Sequence, residues 1–126
     1  MTALRVLICE DEYLLASDLA AELGRRGVAV AAIMARASEV ADALERDDLD
    51  IDLAVLDVQL LDGTVYHVVE PLLARGVAVI FCTGYGRRDL PAEFAHFPCV
   101  GKPTDVDLLL EAFRQFQNGL QPLEVG

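Results

Sequence analysis

The sequence predicts an α/β domain in which a parallel sheet of five strands is covered by helices on both faces. Three observations predict it. Apolar runs of strand length alternate with segments of helical periodicity along the whole chain. The runs are apolar at nearly every residue, the pattern of strands buried on both faces. Carboxylates, a hydroxyl and an amine follow directly after these runs, at the sheet edge where ligands of such domains bind.

Each element has its own warrant. "LRVLIC" (Leu4–Cys9) is the first strand. The following helix carries Leu15, Leu19 and Leu23 on one face and stops at Gly27. "VAVAAIM" (Val28–Met34) is the second strand, and Ser38 is positioned to cap a helix that turns Val40 and Leu44 inward. "IDLAVLD" (Ile51–Asp57) is the third strand. Thr64 is a candidate cap for a third helix bearing Val65, Val68, Val69, Leu72 and Leu73, with Pro71 expected to bend it. "VAVIFC" (Val77–Cys82) is the fourth strand. The stretch from Gly84 to Phe97, rich in Gly, Pro and Arg, has room for one short helix at most. "FPCVG" (Phe97–Gly101) is a short fifth strand. Thr104 and Asp107 resemble a capping box for a last helix whose stripe is Val106, Leu109, Leu110, Phe113 and Phe116.

Bulk composition narrows the function. A chain of 126 residues, 54% hydrophobic and 25% charged, suits one folded domain. We expect a single domain over 1–126, an ordered core over roughly 3–118, a frayed tail after it, and no output domain. Ten basic against 21 acidic residues leave a net charge of −11, which opposes binding to nucleic-acid phosphates or an anionic membrane. It suits a cation or a partner with a basic face. The three cysteines form no CxxC pair, and no apolar run approaches the ~20 residues that span a bilayer, so a cytoplasmic, soluble protein is expected.

The strand ends define a candidate site. After the first strand come Glu10, Asp11 and Glu12; the third ends in Asp57; the fourth is followed by Thr83 and the fifth by Lys102. Crowded carboxylates repel at low dielectric and are reconciled by a hard divalent cation with oxygen ligands, for which Mg²⁺ is the natural choice. A carboxylate can attack phosphorus to give an acyl phosphate. An ammonium and a hydroxyl would then neutralise the transferring group. Glu12 is expected to start the first helix rather than face the cation, because the helix dipole favours an acid there.

With "CEDE" after the first strand, "LDVQLLDG" at the third, "CTG" after the fourth and "GKP" after the fifth, the chain resembles the receiver domain of two-component response regulators over nearly its whole length. The resemblance implies a flavodoxin-like three-layer fold of strand order 2-1-3-4-5. It implies that Asp57 accepts a phosphoryl group from a histidine kinase or phosphotransfer protein and that the chain then changes its hold on a downstream protein. It further implies Mg²⁺ held by Asp11, Asp57 and the backbone carbonyl of Gln59, with Glu10 acting mainly through water. Lys102 would pair with the phosphoryl group and Thr83 would be the switch hydroxyl. Asp62 and Gly63 match a structural turn. Such proteins are phosphoacceptors rather than enzymes in the ordinary sense.

"FCTGYG" (Phe81–Gly86) also resembles the signature of FATGUY-type single-domain receivers, with Cys82 in place of Ala. One position departs from the wider family. Cys99 stands three residues before the lysine, where receivers carry an aromatic switch residue, and Tyr85 is the expected substitute. His67 and His96 read as surface or packing residues. The cysteines read as small apolar fillers; Cys82 and Cys99, expected on neighbouring strands, are the pair that could sense oxidation. Rival chemistries fit less well. An aspartyl-phosphate hydrolase of the haloacid-dehalogenase class would need a second Asp two residues after Asp57, where Gln59 stands. A flavodoxin-like cofactor site would need a phosphate-cradling loop where the acidic one lies. A phosphorylation-independent adaptor would have no use for the full set of Asp11, Asp57, Thr83 and Lys102.

Overall fold

The computed structural model describes residues 4–84 and 90–117. Strand β1 (Arg5–Cys9) leads into helix α1 (Tyr13–Arg25), then β2 (Ala29–Met34), α2 (Ala37–Glu45) and β3 (Leu53–Asp57). A two-residue antiparallel ladder follows, β4 (Gln59–Leu60) against β5 (Gly63–Thr64). A 3₁₀ turn at Tyr66–Val68 runs into α3 (Val69–Ala74), then come β6 (Ala78–Thr83), a 3₁₀ turn at Ala92–Phe94, β7 (Cys99–Gly101) and α4 (Val106–Gln117). The main sheet is wholly parallel with order β2-β1-β3-β6-β7, which is 2-1-3-4-5 counted among its own five strands.

Strand alternation divides the core into two layers. Val6, Ile8, Leu53, Val55 and Ile80 face Leu23 of α1 and Leu109 and Phe113 of α4. Leu7, Cys9, Leu56, Val79 and Phe81 face Val40 of α2 and Leu72 of α3. This is the three-layer sandwich that uniformly apolar strands require. The second layer also contains an aromatic cluster. Phe94 stacks on Tyr66 at 5.4 Å between centroids and meets Phe97 edge-on at 5.4 Å, and Phe81 lies 5.7 Å from both phenylalanines.

Several local expectations are corrected. Ser38 does not cap α2; the helix begins at Ala37, and its first amides are taken by Asp62 from across the fold. Thr64 caps nothing, because it is drawn into the ladder opposite Gln59. The last helix is capped by Asp105, whose Oδ1 accepts from the amides of Asp107 and Leu108, rather than by a Thr104–Asp107 box. Pro71 bends no long helix. The segment is instead 3₁₀ up to Val68 and α from Val69, so Pro71 falls within the first turn, where no intrahelical amide bond is owed. Cys82 and Cys99 do lie on adjacent strands, but Cys99 pairs in register with Phe81 and Cys82 with Val100. Their side chains therefore join opposite core layers and cannot form a disulfide. Burial also pushes the Cys82 thiol up to about 12, away from thiolate chemistry.

At the sheet edge remote from the acidic loops, Arg75 donates to the carbonyl of Leu44 at the end of α2 and to Asp47 at 2.8 Å. Asp47 sits at φ 55, just past the helix. Arg75→Ala is expected to lower stability by about 1 kcal/mol, chiefly through the exposed α2 carbonyl. A urea melt followed by circular dichroism measures it.

Candidate phosphoacceptor site

The parallel register brings the acidic strand ends together. Cys9 pairs with Leu56, so the next residues, Glu10 and Asp57, emerge side by side. Asp57 in turn pairs with Cys82, and Thr83 with Gly101, which places Thr83 and Lys102 on the flank of Asp57. Glu10 is 8%, Asp57 9% and Thr83 4% exposed. Such burial of charge is expensive unless it is paired. The pairing is direct: Lys102 Nζ donates to Glu10 Oε1 and to Asp57 Oδ2, each at 2.7 Å. The Lys102 amide also donates to the carbonyl of Thr83 at 3.1 Å, tying the lysine to the strand that bears the hydroxyl. Among the described residues no buried side-chain nitrogen or oxygen lacks a partner.

Asp11 completes the group. One carboxylate oxygen from each of Glu10, Asp11 and Asp57 lies within 4.8 Å of the others. Octahedral ligands about 2.1 Å from one Mg²⁺ stand ~3.0 Å apart when adjacent and ~4.2 Å when opposite, so the three oxygens would draw together by up to ~2 Å to share one ion. The donors are all hard oxygens, which fits Mg²⁺ and excludes a soft metal. Burial, followed by the neighbouring Glu10, raises the Asp11 carboxyl above the ordinary Asp range. A raised acid binds its proton more tightly in the folded chain, so ionising Asp11 costs stability as pH rises through that window. A bound cation offsets this. Burial alone would lower the pKa of Lys102, but its hydrogen bonds to Asp57 and Glu10 outweigh burial and hold the ammonium above the usual lysine range.

The remaining candidates are placed as follows. Gln59 opens the small ladder two residues past Asp57, with its side chain turned onto the carbonyl of Leu60. Glu12 stands at the N-cap position of α1 without a side-chain cap, its own amide donating to Glu10 Oε2 at 3.1 Å. Cys99 is partly buried against the layer that holds the aromatic cluster. Tyr85 lies outside the described residues. His67 and His96 are both exposed. Sequence reasoning missed the direct Glu10–Lys102 pair, the seating of Asp62 on α2, and the ring cluster. The only signal for the last was a set of aromatics in segments with no periodicity.

A groove of about 530 Å³ runs from this site between α1 and the start of α4. Leu15, Leu19, Pro103 and Val106 form its apolar wall, and Glu12, Asp18 and Glu22 add acidic groups. Tyr13 and Leu14, at the head of α1, are 76% and 74% exposed.

No protein-family model matches the sequence, and no curated protein sequence does. Solved structures do match. SdrG from Sphingomonas melonis Fr1 superposes with a TM-score of 0.77 at 27% identity, over 93% of this chain and 98% of that one. The BeF3-activated conformation of SdrG from Pseudomonas melonis Fr1 superposes with a TM-score of 0.75 at 30% identity, over 92% and 98%. The PhyR response regulator REC domain of Erythrobacter litoralis gives 0.73 at 28% identity, over 94% and 92%. Similarity of sequence and of fold therefore extends across nearly the full length of both partners, and the chain belongs to the receiver domains of response regulators.

Proposed function

We propose that this chain is a single-domain response regulator whose Asp57 accepts a phosphoryl group from a phosphohistidine donor, a sensor histidine kinase or a phosphotransfer protein. The observation that carries the reading is the single ammonium of Lys102, 2.7 Å from both Glu10 and Asp57, beside the three-carboxylate group. In the reaction an oxygen of Asp57 attacks phosphorus. The new P–O bond forms as the P–N bond of the donor breaks, and the imidazole nitrogen keeps that electron pair. Lys102 moves its hydrogen bond from the Asp57 carboxylate to the arriving phosphoryl oxygens. Thr83, held at the end of β6, supplies a hydroxyl to the same group. Water attack on phosphorus later returns Asp57 to its carboxylate.

Glu10, Asp11 and Asp57, with the Gln59 carbonyl, would hold Mg²⁺, whose charge screens the incoming phosphoryl oxygens from these acids. The apolar groove beside Lys102 and the exposed Tyr13 and Leu14 offer a donor protein a surface within reach of the acceptor. The likeness to an SdrG structure in a BeF3-activated conformation supports the same chemistry, since BeF₃⁻ on a carboxylate mimics a phosphoryl group. The outcome of phosphorylation is an altered affinity for a downstream protein.

Incubation with acetyl phosphate and Mg²⁺, read by intact mass, tests this. The expected result is a gain of one phosphoryl group that requires Mg²⁺ and decays on dilution into buffer. No gain, or release of many phosphates from small esters without labelling, would sink the proposal.

A further inference from the structure

The junction between β2 and α2 touches both acidic loops. The carbonyl of Met34 accepts the amide of Glu10 at 3.0 Å. One residue on, the carbonyl of Ala35 accepts the amide of Leu61 at 3.1 Å. Asp62 then reaches back across the fold: its Oδ1 accepts from the amide of Ala37 at 2.8 Å and its Oδ2 from that of Ser38 at 3.0 Å. The residue at the N-cap position, Arg36, provides no cap of its own. Segment 34–38 is thus a bar spanning the Glu10 loop on one side and the acceptor loop on the other.

We infer that Asp62 is a positioning residue for the phosphoacceptor site, clamping the acceptor loop to α2 so that Asp57 and Gln59 keep their spacing from Glu10 and Asp11. This rests on the phosphoacceptor reading above. Leu60 is buried in the core, Val58 packs partly against it, and Asp62 is fastened to α2. Loss of Asp62 removes the side-chain hold on the start of α2 and leaves the Leu61–Ala35 backbone bond to join the loop to segment 34–38. The turn is built to present the carboxylate. Gly63 follows at φ 124, a conformation closed to other residues without strain, and Val65 returns its amide to the carbonyl of Val58 at 3.0 Å. Hydrogen bonds from the Ser38 and Ala37 amides hold the Asp62 carboxyl below the ordinary range, so it is an anion wherever the site would work. Residues that orient ligands without touching the metal commonly change affinity or activity by an order of magnitude.

The test compares Asp62→Ala, Asp62→Asn and the distal variant Arg75→Ala, which weakens α2 from its other end. Mg²⁺ affinity is read from amide shifts of Glu10 to Glu12, labelling by acetyl phosphate from intact mass, and stability from thermal melts. Asp62→Ala is expected to raise the Mg²⁺ Kd and slow labelling by about 10-fold each. Asp62→Asn, which keeps one carbonyl acceptor, should recover part of both. Arg75→Ala should lose stability yet keep wild-type Kd and labelling rate. Wild-type Mg²⁺ affinity and labelling in Asp62→Ala, or equal losses in Arg75→Ala, overturn the clamp. Should Asp62→Ala fail to fold, wild-type values in Asp62→Asn overturn it as well. If the wild-type chain itself neither binds Mg²⁺ nor becomes labelled, the phosphoacceptor reading falls and the clamp falls with it.

Discussion

Asp57→Asn is expected to abolish labelling by acetyl phosphate while leaving the chain folded with stability within about 1 kcal/mol of wild type. The loss of labelling is total because an amide oxygen is too poor a nucleophile toward phosphorus, and Glu10 and Asp11 belong to the loop after β1 rather than to the end of β3. Stability is spared for an electrostatic reason. The wild-type site crowds three carboxylates around one ammonium. The substitution removes one of the mutually repelling charges, while Lys102 keeps its 2.7 Å partner in Glu10. The asparagine carbonyl can still accept from Lys102, and its amide hydrogens face acceptors among the neighbouring acids. Mg²⁺ affinity should fall with the lost ligand charge. Intact mass, a melting curve and a Mg²⁺ titration of the same preparation check all three. Persistent labelling that maps to Glu10 or Asp11 would show that the acceptor had been misassigned.

The clustering of these side chains was legible in the sequence because parallel sheets place chemistry at strand ends. Four apolar runs could be seen to stop at Glu10, Asp57, Thr83 and Lys102, and the in-register pairing of Cys9 with Leu56 and Asp57 with Cys82 converts sequence position into proximity. What stayed hidden depends on long-range pairing. Ser38 satisfied the local rule for a helix cap, but the helix starts earlier, at Ala37, and its first amides, those of Ala37 and Ser38, are taken by Asp62, which is 24 residues away from Ser38 in sequence. No window of a few residues can reveal such a partner. The redox pairing of Cys82 with Cys99 failed on register, where a shift of one residue decides which face a side chain joins. Tyr66, Phe94 and Phe97 lie in irregular or 3₁₀ segments, so no period announced their convergence on Phe81.

Lys102→Met is expected to separate the two roles of the lysine by moving two observables in opposite directions. Methionine keeps the unbranched stem, one atom short of the amine, and removes the charge. Glu10 and Asp57 are then left nearly buried without their shared cation. Breaking a fully buried ion pair costs about 3–5 kcal/mol. The Lys102 side chain is 22% exposed, so water screens part of this and about 2 kcal/mol is expected in the absence of divalent ions. Mg²⁺ can supply the missing charge. The variant should therefore bind Mg²⁺ more tightly than wild type, where the ammonium competes for the same oxygens, and should recover more stability on its addition. Labelling should nevertheless slow by about 10²-fold or more, because the donor that meets the transferring phosphoryl group is gone. Titration, melting with and without Mg²⁺, and timed mass spectra decide the matter. Weaker Mg²⁺ binding together with unchanged labelling would mean that Lys102 neither shares the carboxylates with the ion nor stabilises the transfer, and the 2.7 Å contacts would then be structural alone.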